Sequence, residues 1–172
     1  MADKLKITQL APADWKLFCS LRLQAIQEVP SGFADTLTET LRISEEEWRR
    51  RLTLPFGRVF IGKINNTVVG MLAVTFFEKT KLRHRAKLLS YFVLPTERGK
   101  GIGEQLMLHV LAWLQKRPTI VKVESSVNEG REASLRAHLK CGFKLIGKAH
   151  KEIRIGKKFY DQYQLEKILN KK

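Results

Sequence analysis

Apolar residues recur along this chain in two periods, and the switches between them mark out the elements. Leu5, Ile7 and Leu10 make a short first strand. Ala11-Pro12-Ala13-Asp14 opens a helix that carries Trp15, Phe18, Leu21, Leu23 and Ile26 to about Val29, and Pro30 stops it. Residues 31–43 show no period and read as irregular. Ser44 followed by Glu47 is a capping-box signature, which predicts a second helix to about Leu54. Arg58–Ile64 and Thr67–Phe77 read as strands joined by an Asn65-Asn66 turn, with a charged connection over Lys79–Arg85. Lys87–Leu94 is nearly all apolar, which suits a central strand buried on both faces.

Helical spacing returns at Leu106, Val110 and Trp113/Leu114 and ends near Lys116-Arg117-Pro118. Ile120–Ser125 is a strand and Arg131–Cys141 a helix. Phe143–Gly147 and Phe159–Leu165 close the chain as strands around a basic turn at Gly156-Lys157-Lys158. No repeat, low-complexity tract or linker interrupts this order, so residues 1–172 are expected to form one mixed α/β domain.

Charge changes the picture more than composition does. With 32 basic against 17 acidic residues the net charge is +15, a field that attracts anions: a phosphorylated cofactor, nucleic acid, an acidic protein or an anionic membrane surface. The basic residues gather at Arg49-Arg50-Arg51, between Lys79 and Lys87, and between Lys144 and Lys158, and aromatic residues are not interleaved with them as a base-stacking surface requires. No apolar run approaches the roughly 18–20 residues that span a bilayer, so no membrane partner is expected. Met1-Ala2-Asp3-Lys4 precedes no apolar signal core, and Cys19 and Cys141 fit no metal spacing, which together point to reduced thiols and the cytoplasm. His84, His109, His138 and His150 show no ligand pairing, so no metal is expected.

The most informative segment is Tyr91-Phe92-Val93-Leu94-Pro95-Thr96-Glu97-Arg98-Gly99-Lys100-Gly101-Ile102-Gly103, a strand, a glycine turn and the start of a helix. A glycine turn at a helix N-terminus brings free backbone N–H groups to the positive end of the helix dipole, and that arrangement binds phosphate. A side chain at Gly101 or Gly103 would hold a diphosphate off those amides. No Lys-Ser/Thr pair follows as in the nucleotide P-loop, and the glycines alternate where the dinucleotide fingerprint needs Gly-x-Gly-x-x-Gly.

What remains, Arg98-x-x-Gly101-x-Gly103, resembles the acetyl-CoA pyrophosphate loop of the GNAT family of N-acetyltransferases. The resemblance extends to Ala133-Ser134-Leu135-Arg136-Ala137-His138-Leu139-Lys140-Cys141-Gly142-Phe143, to the entry segment from Leu21 to Glu39, and to Phe159-Tyr160-Asp161 with Gln164-Leu165. It implies a mixed, mostly antiparallel central sheet, splayed at the cofactor strand and flanked by helices. It also implies acetyl-CoA as co-substrate and direct transfer, in a ternary complex, to the primary amine of a small molecule or peptide. Main chain at Phe92 and Val93 would hold the pantetheine arm, and Arg98, Gly99, Lys100, Gly101, Ile102, Gly103 and Glu104 the pyrophosphate. The alternative is a basic RNA- or ribosome-associated member of the same fold, acetylating or only binding; the intact glycine loop argues against binding alone. A homodimer is left open.

Acetyl transfer needs an amine that has lost its proton, a polarised thioester carbonyl and a proton for the departing thiolate. The family's usual thiolate donor, a Tyr, is replaced by His138, which the resemblance implies as general acid. The family's Asn before the small residue is replaced by Arg131, leaving either Asn128 or Arg131 toward the cofactor, and the position of a base Glu holds Lys87. Glu78 is then a possible base, with Glu124, His84 and Asp161 as the other choices. Cys141 lies three residues from His138, but no third group supports a nucleophile, and a small apolar role fits it better.

Overall fold

The computed structural model describes residues 4–170. One seven-stranded sheet runs through it in the order β1-β2-β3-β4-β5-β7-β6. The strands are β1 (Lys6–Gln9), β2 (Gly57–Ile64), β3 (Thr67–Phe76), β4 (Arg85–Val93), β5 (Lys122–Asn128), β6 (Lys144–Ile155) and β7 (Lys158–Ile168). The helices are α1 (Trp15–Glu28), α2 (Leu37–Leu41), α3 (Glu45–Arg51), α4 (Ile102–Gln115) and α5 (Glu132–Lys140). Every neighbouring pair is antiparallel except β4 with β5. Among the described residues no helix is long and apolar enough to cross a membrane.

Each face of the sheet has its own core. On one face α4 lays Leu106, Met107, Val110 and Leu114, all without exposed surface, onto Leu72, Val74, Ala86, Val123 and Leu165. On the other, α1 places Phe18, Leu21, Ala25 and Ile26 at helical spacing against Trp48, Val59, Ile61, Met71 and Phe92. One charged residue, Arg22, shares that buried stripe.

The β4–β5 pair positions the site. These parallel strands share only three register pairs, Arg85 with Lys122, Ala86 with Val123 and Lys87 with Glu124. Beyond Lys87 they diverge, and β4 carries a bulge: Met71 pairs with Phe92 and Ala73 with Leu89, while Ser90 takes a positive φ of 55°. Burial along β4 alternates, which corrects the expectation of a strand buried on both faces: Ala86 and Leu88 are buried in the α4 core, while Lys87 and Leu89, on the opposite face, are exposed.

Three further differences from the sequence reading have local causes. Residues 31–43 hold α2, which starts with a reciprocal capping box. Thr36 Oγ1 accepts from the Glu39 amide at 3.2 Å, and the Glu39 carboxylate accepts from the Thr36 amide at 2.7 Å. Ser44 does cap α3, accepting from the Glu47 amide, but the Glu47 carboxylate turns to Arg50 and Arg51 instead of closing a box. The last two strands are longer than their apolar cores, because cross-strand pairing carries β6 on to Ile155 through a bulge between Ala149 and Ile153. That pairing sets Lys148 over the Tyr163 ring and Lys151 over Phe159, so basic and aromatic side chains separate in sequence meet in space, and within β7 Lys158 lies over Tyr160 two residues on.

Candidate active site

Strand β4 delivers the chain to a short 3-10 turn at Pro95–Glu97, and the glycine turn then feeds α4. Gly99 and Gly101 both take positive φ, 78° and 75°, which favours glycine over other residues. Among the described residues, no hydrogen bond engages the backbone amides from Gly99 to Glu104; the first to bond back is Gln105, to the Gly101 carbonyl at 3.0 Å. A Cβ at Gly99 would meet nothing within 4 Å, and one at Gly101 only the Gln105 amide nitrogen at 3.9 Å. The turn is therefore an open cradle of unsatisfied donors, which suits a diphosphate. Gly103 has a different reason to be glycine: a Cβ there would lie 2.0 Å from the Tyr91 hydroxyl.

This cradle is the mouth of a groove of about 300 Å³ lined by Tyr91, Phe92, Val93, Arg98, Arg131 and Ser134, among others. On its far side the opening between β4 and β5 leads to a basin of about 400 Å³, where Arg22, Asp35, Ser90, Ser125, Asn128 and His138 gather. Tyr91, Phe92, Arg131 and Ser134 line both, so the two spaces adjoin across these residues. The cradle, the open β4 edge and the basin together fit a long ligand with a diphosphate near one end and an extended arm in the opening.

Side chains in the loop divide the work unevenly. Arg98 folds back and donates from Nε to the Val93 carbonyl at 3.0 Å, which occupies one of the main-chain groups expected to hold the arm. Lys100 pairs with Glu97 at 3.0 Å and does not line the groove, so its ammonium group is engaged outside it. Glu104 brings its amide, and its carboxylate is held by Lys140 at 3.0 Å. Arg131 lies at the junction of groove and basin, with burial and the nearby Arg98 charge lowering its pKa. Asn128 is placed elsewhere than expected. It lines the basin only, donating to the Ser31 carbonyl at 2.6 Å and accepting from Gln162 at 2.7 Å, a brace between β5, β7 and the loop after α1.

His138 does reach the basin, but not as a free acid. Its ring is 1% exposed, edge-on to Tyr91 and Phe143. Nδ1 lies 2.8 Å from the Ser134 carbonyl and Nε2 lies 2.9 Å from Ser125 Oγ. Burial lowers its pKa, only partly offset by the Ser134 bond, so the resting ring is neutral at pH 7. A neutral ring with its proton on Nδ1 has none at Nε2 to donate.

Glu78 is no base for this site: it is exposed, paired with Arg50 at 3.0 Å, and lines neither the groove nor the basin. The other choices are also placed away from that work. Glu124 forms a two-pronged pair with Arg85, at 2.6 and 2.8 Å. Asp161 is gripped by Lys148, His150 and the Lys151 amide. His84 is exposed and lines neither space. Cys141 is buried in the core, where burial raises its thiol pKa.

Sequence reasoning missed Arg22, Asp35, Ser90, Tyr91 and Ser125. Arg22 stacks on Phe33, donates to Ser90 Oγ at 2.6 Å and pairs with Asp35 at 2.7 Å, tying α1 to the β4 bulge. Its one visible signal was a charge on the apolar stripe of α1. Burial raises the Tyr91 phenol well above its ordinary pKa, so it stays protonated.

Comparison with known proteins gives the same fold. Residues 23–143 match the family model described as the acetyltransferase (GNAT) family. An acetyltransferase of the GNAT family from Streptococcus pneumoniae superposes with a TM-score of 0.84 at 18% identity, over 97% of this chain and 100% of that one. The Salmonella typhimurium protein yncA, solved with its cofactor acetyl-CoA, gives 0.81 at 17% identity over 98% and 96%. Spermidine N-acetyltransferase from Vibrio cholerae, solved with CoA and spermine, gives 0.76 at 16% identity over 96% and 95%. At these identities the likeness is one of fold. No curated protein matches the sequence.

Proposed function

Because the chain belongs to the acetyltransferase (GNAT) family, we propose that it moves an acetyl group from acetyl-CoA to a primary amine, directly, with both substrates bound. The observation that carries this reading is that groove and basin adjoin, sharing Tyr91, Phe92, Arg131 and Ser134 as lining. A donor in the groove and an acceptor in the basin would meet at the mouth of the β4–β5 opening, so transfer needs no carrier residue. The free amides of the turn would hold the diphosphate, and Arg131 would add a positive charge beside it. The open edge of β4 would hold the pantetheine arm as a neighbouring strand would.

The basin also speaks to the acceptor. Arg22 and Asp35 hold each other, which leaves Lys87 and the junction residue Arg131 against Glu152. A polycation then finds only the Glu152 carboxylate, whereas an amine that carries a carboxylate, as in an amino acid, finds Lys87 and the Arg131 charge shared with the diphosphate. The test is a thiol-release assay with acetyl-CoA and a panel of amino acids, short peptides and spermidine, preceded by calorimetry of acetyl-CoA alone. Binding of acetyl-CoA and faster release with an amino acid or peptide than with spermidine are expected. Absence of acetyl-CoA binding would sink the whole reading, and spermidine as the fastest acceptor would sink its acceptor half.

A further inference from the structure

The Ser134 carbonyl can only accept, so its 2.8 Å contact puts the His138 proton on Nδ1. The Ser125 hydroxyl is then the donor to Nε2 across 2.9 Å. A carbonyl orients a base and the base holds a hydroxyl, the arrangement of an activated proton-transfer pair. Ser125 comes from β5 and His138 from α5, and both line the basin beside the residues it shares with the groove. We propose that Ser125 Oγ is the catalytic group that contacts the reacting atoms, with His138 behind it holding the proton in transit. This rests on the acetyl-transfer reading above.

The protons and electrons balance within the dyad. The neutral amine attacks the thioester carbonyl, forming the N–C bond and leaving the nitrogen positive and the carbonyl oxygen negative. That nitrogen gives a proton to Ser125 Oγ while the Ser125 hydroxyl proton passes to His138 Nε2. The carbonyl re-forms, the C–S bond breaks and its electron pair leaves with sulfur. His138 Nε2 returns its proton to Ser125 Oγ as the Ser125 hydroxyl protonates the sulfur. One proton has moved from amine to thiol, and the dyad ends as it began. A buried, neutral histidine suits this cycle, since it must take up a proton before giving one back.

The first test needs neither acceptor nor cofactor. Nitrogen-15 spectroscopy of the histidine rings in the protein alone should show His138 neutral with its proton on Nδ1, and Ser125→Ala should move its Nε2 resonance. A proton on Nε2 overturns the relay. The second test is kinetic, with the fastest amine of the panel. Ser125→Ala and His138→Gln should each lose roughly 10²-fold in kcat. The double variant should lose no more than either alone, because the pair acts as a unit. Acetyl-CoA affinity by calorimetry should stay within about threefold of the parent, since the bond matters only during transfer.

Near-normal kcat in Ser125→Ala overturns the proposal. Near-normal kcat in His138→Gln, which keeps polar contacts but takes up no proton, reduces His138 to a spacer and overturns it too. So does a loss confined to Tyr91→Phe, which would assign the proton to that phenol. A parent protein that binds acetyl-CoA but transfers to no amine removes the acetyl-transfer reading and the relay with it. The ring tautomer tells that failure apart from a wrong dyad.

Discussion

The cradle and the basin meet at Tyr91 and Arg131 but draw on the chain in opposite ways. The cradle is one continuous stretch, Gly99 to Glu104, whose working parts are main-chain amides. The basin takes side chains from α1, the loop after it, β4, β5, α5 and the last two strands. Main-chain recognition needs only a backbone shape, so it is written locally as glycines. Side-chain recognition needs the tertiary fold first. The difference teaches where substitution acts: in the cradle through conformation, in the basin through hydrogen-bonded partners that lie far apart in sequence.

The sharpest way to break the comparison is at Gly103, which belongs to both ends through Tyr91. Gly103→Val should displace the phenol, destabilise the protein by about 1–3 kcal/mol as overpacking does, and weaken acetyl-CoA binding by well over tenfold, by thermal melting and calorimetry. Gly101→Val should weaken binding by at least tenfold, about 1.4 kcal/mol, and its melting shift should come from backbone strain at φ 75° and not from a clash, since the space around it is open. Tyr91→Phe, which removes the hydroxyl that a Cβ at Gly103 would meet, should ease the melting shift of Gly103→Val and leave that of Gly101→Val unchanged; equal relief in both would mean that Tyr91 does not distinguish them.

Asn128→Ala tests the basin alone. It strands the Ser31 carbonyl and the Gln162 amide, at a cost of about 1–3 kcal/mol in stability, and should leave acetyl-CoA affinity near the parent's. Large loss of acetyl-CoA binding in the folded variant would return Asn128 to the cofactor. A further pair of variants separates two cations: Arg131→Ala should weaken acetyl-CoA by about 1.5 kcal/mol, the low end for hydrogen bonds to charged groups, and Lys100→Ala by far less, being paired with Glu97 outside the groove. Equal losses would mean that Lys100 swings in.

The smallest effect is in pH. His138 titrates lower in the folded protein than its ordinary value of about 6.5, so below that value the unfolded chain binds more protons and stability falls as pH falls. The loss begins near pH 6.5 and levels off below the folded value. His138→Gln should flatten that part of the curve in denaturant titrations, and an unchanged slope would mean that other groups set it.

Much of the framework was legible because local rules agreed with the tertiary outcome. Asn65-Asn66 takes positive φ at both positions and closes the β2–β3 hairpin as its sequence suggests. The cradle was legible for the same reason. What escaped depended on what lies across the sheet. Lys87–Leu94 reads as doubly buried until its second face is found bare at Lys87 and Leu89, and Glu78 reads as a possible base until Arg50 is found beside it. The role of His138 turned on Ser125, thirteen residues away and on another element, which spacing alone does not pair.

The three register pairs between β4 and β5 make the sheet two leaves on a short spine, β1 to β4 on one side and β5, β7 and β6 on the other. A guest lying in the gap is then also a tie between the leaves, and occupancy becomes a mechanical property of the protein. At a hundred times its dissociation constant such a tie adds about 2.7 kcal/mol to the folded state. Hydrogen exchange would register it unevenly, slowing at the free edges of β4 beyond Lys87 and of β5 beyond Glu124, and least at α4, whose buried face is already locked.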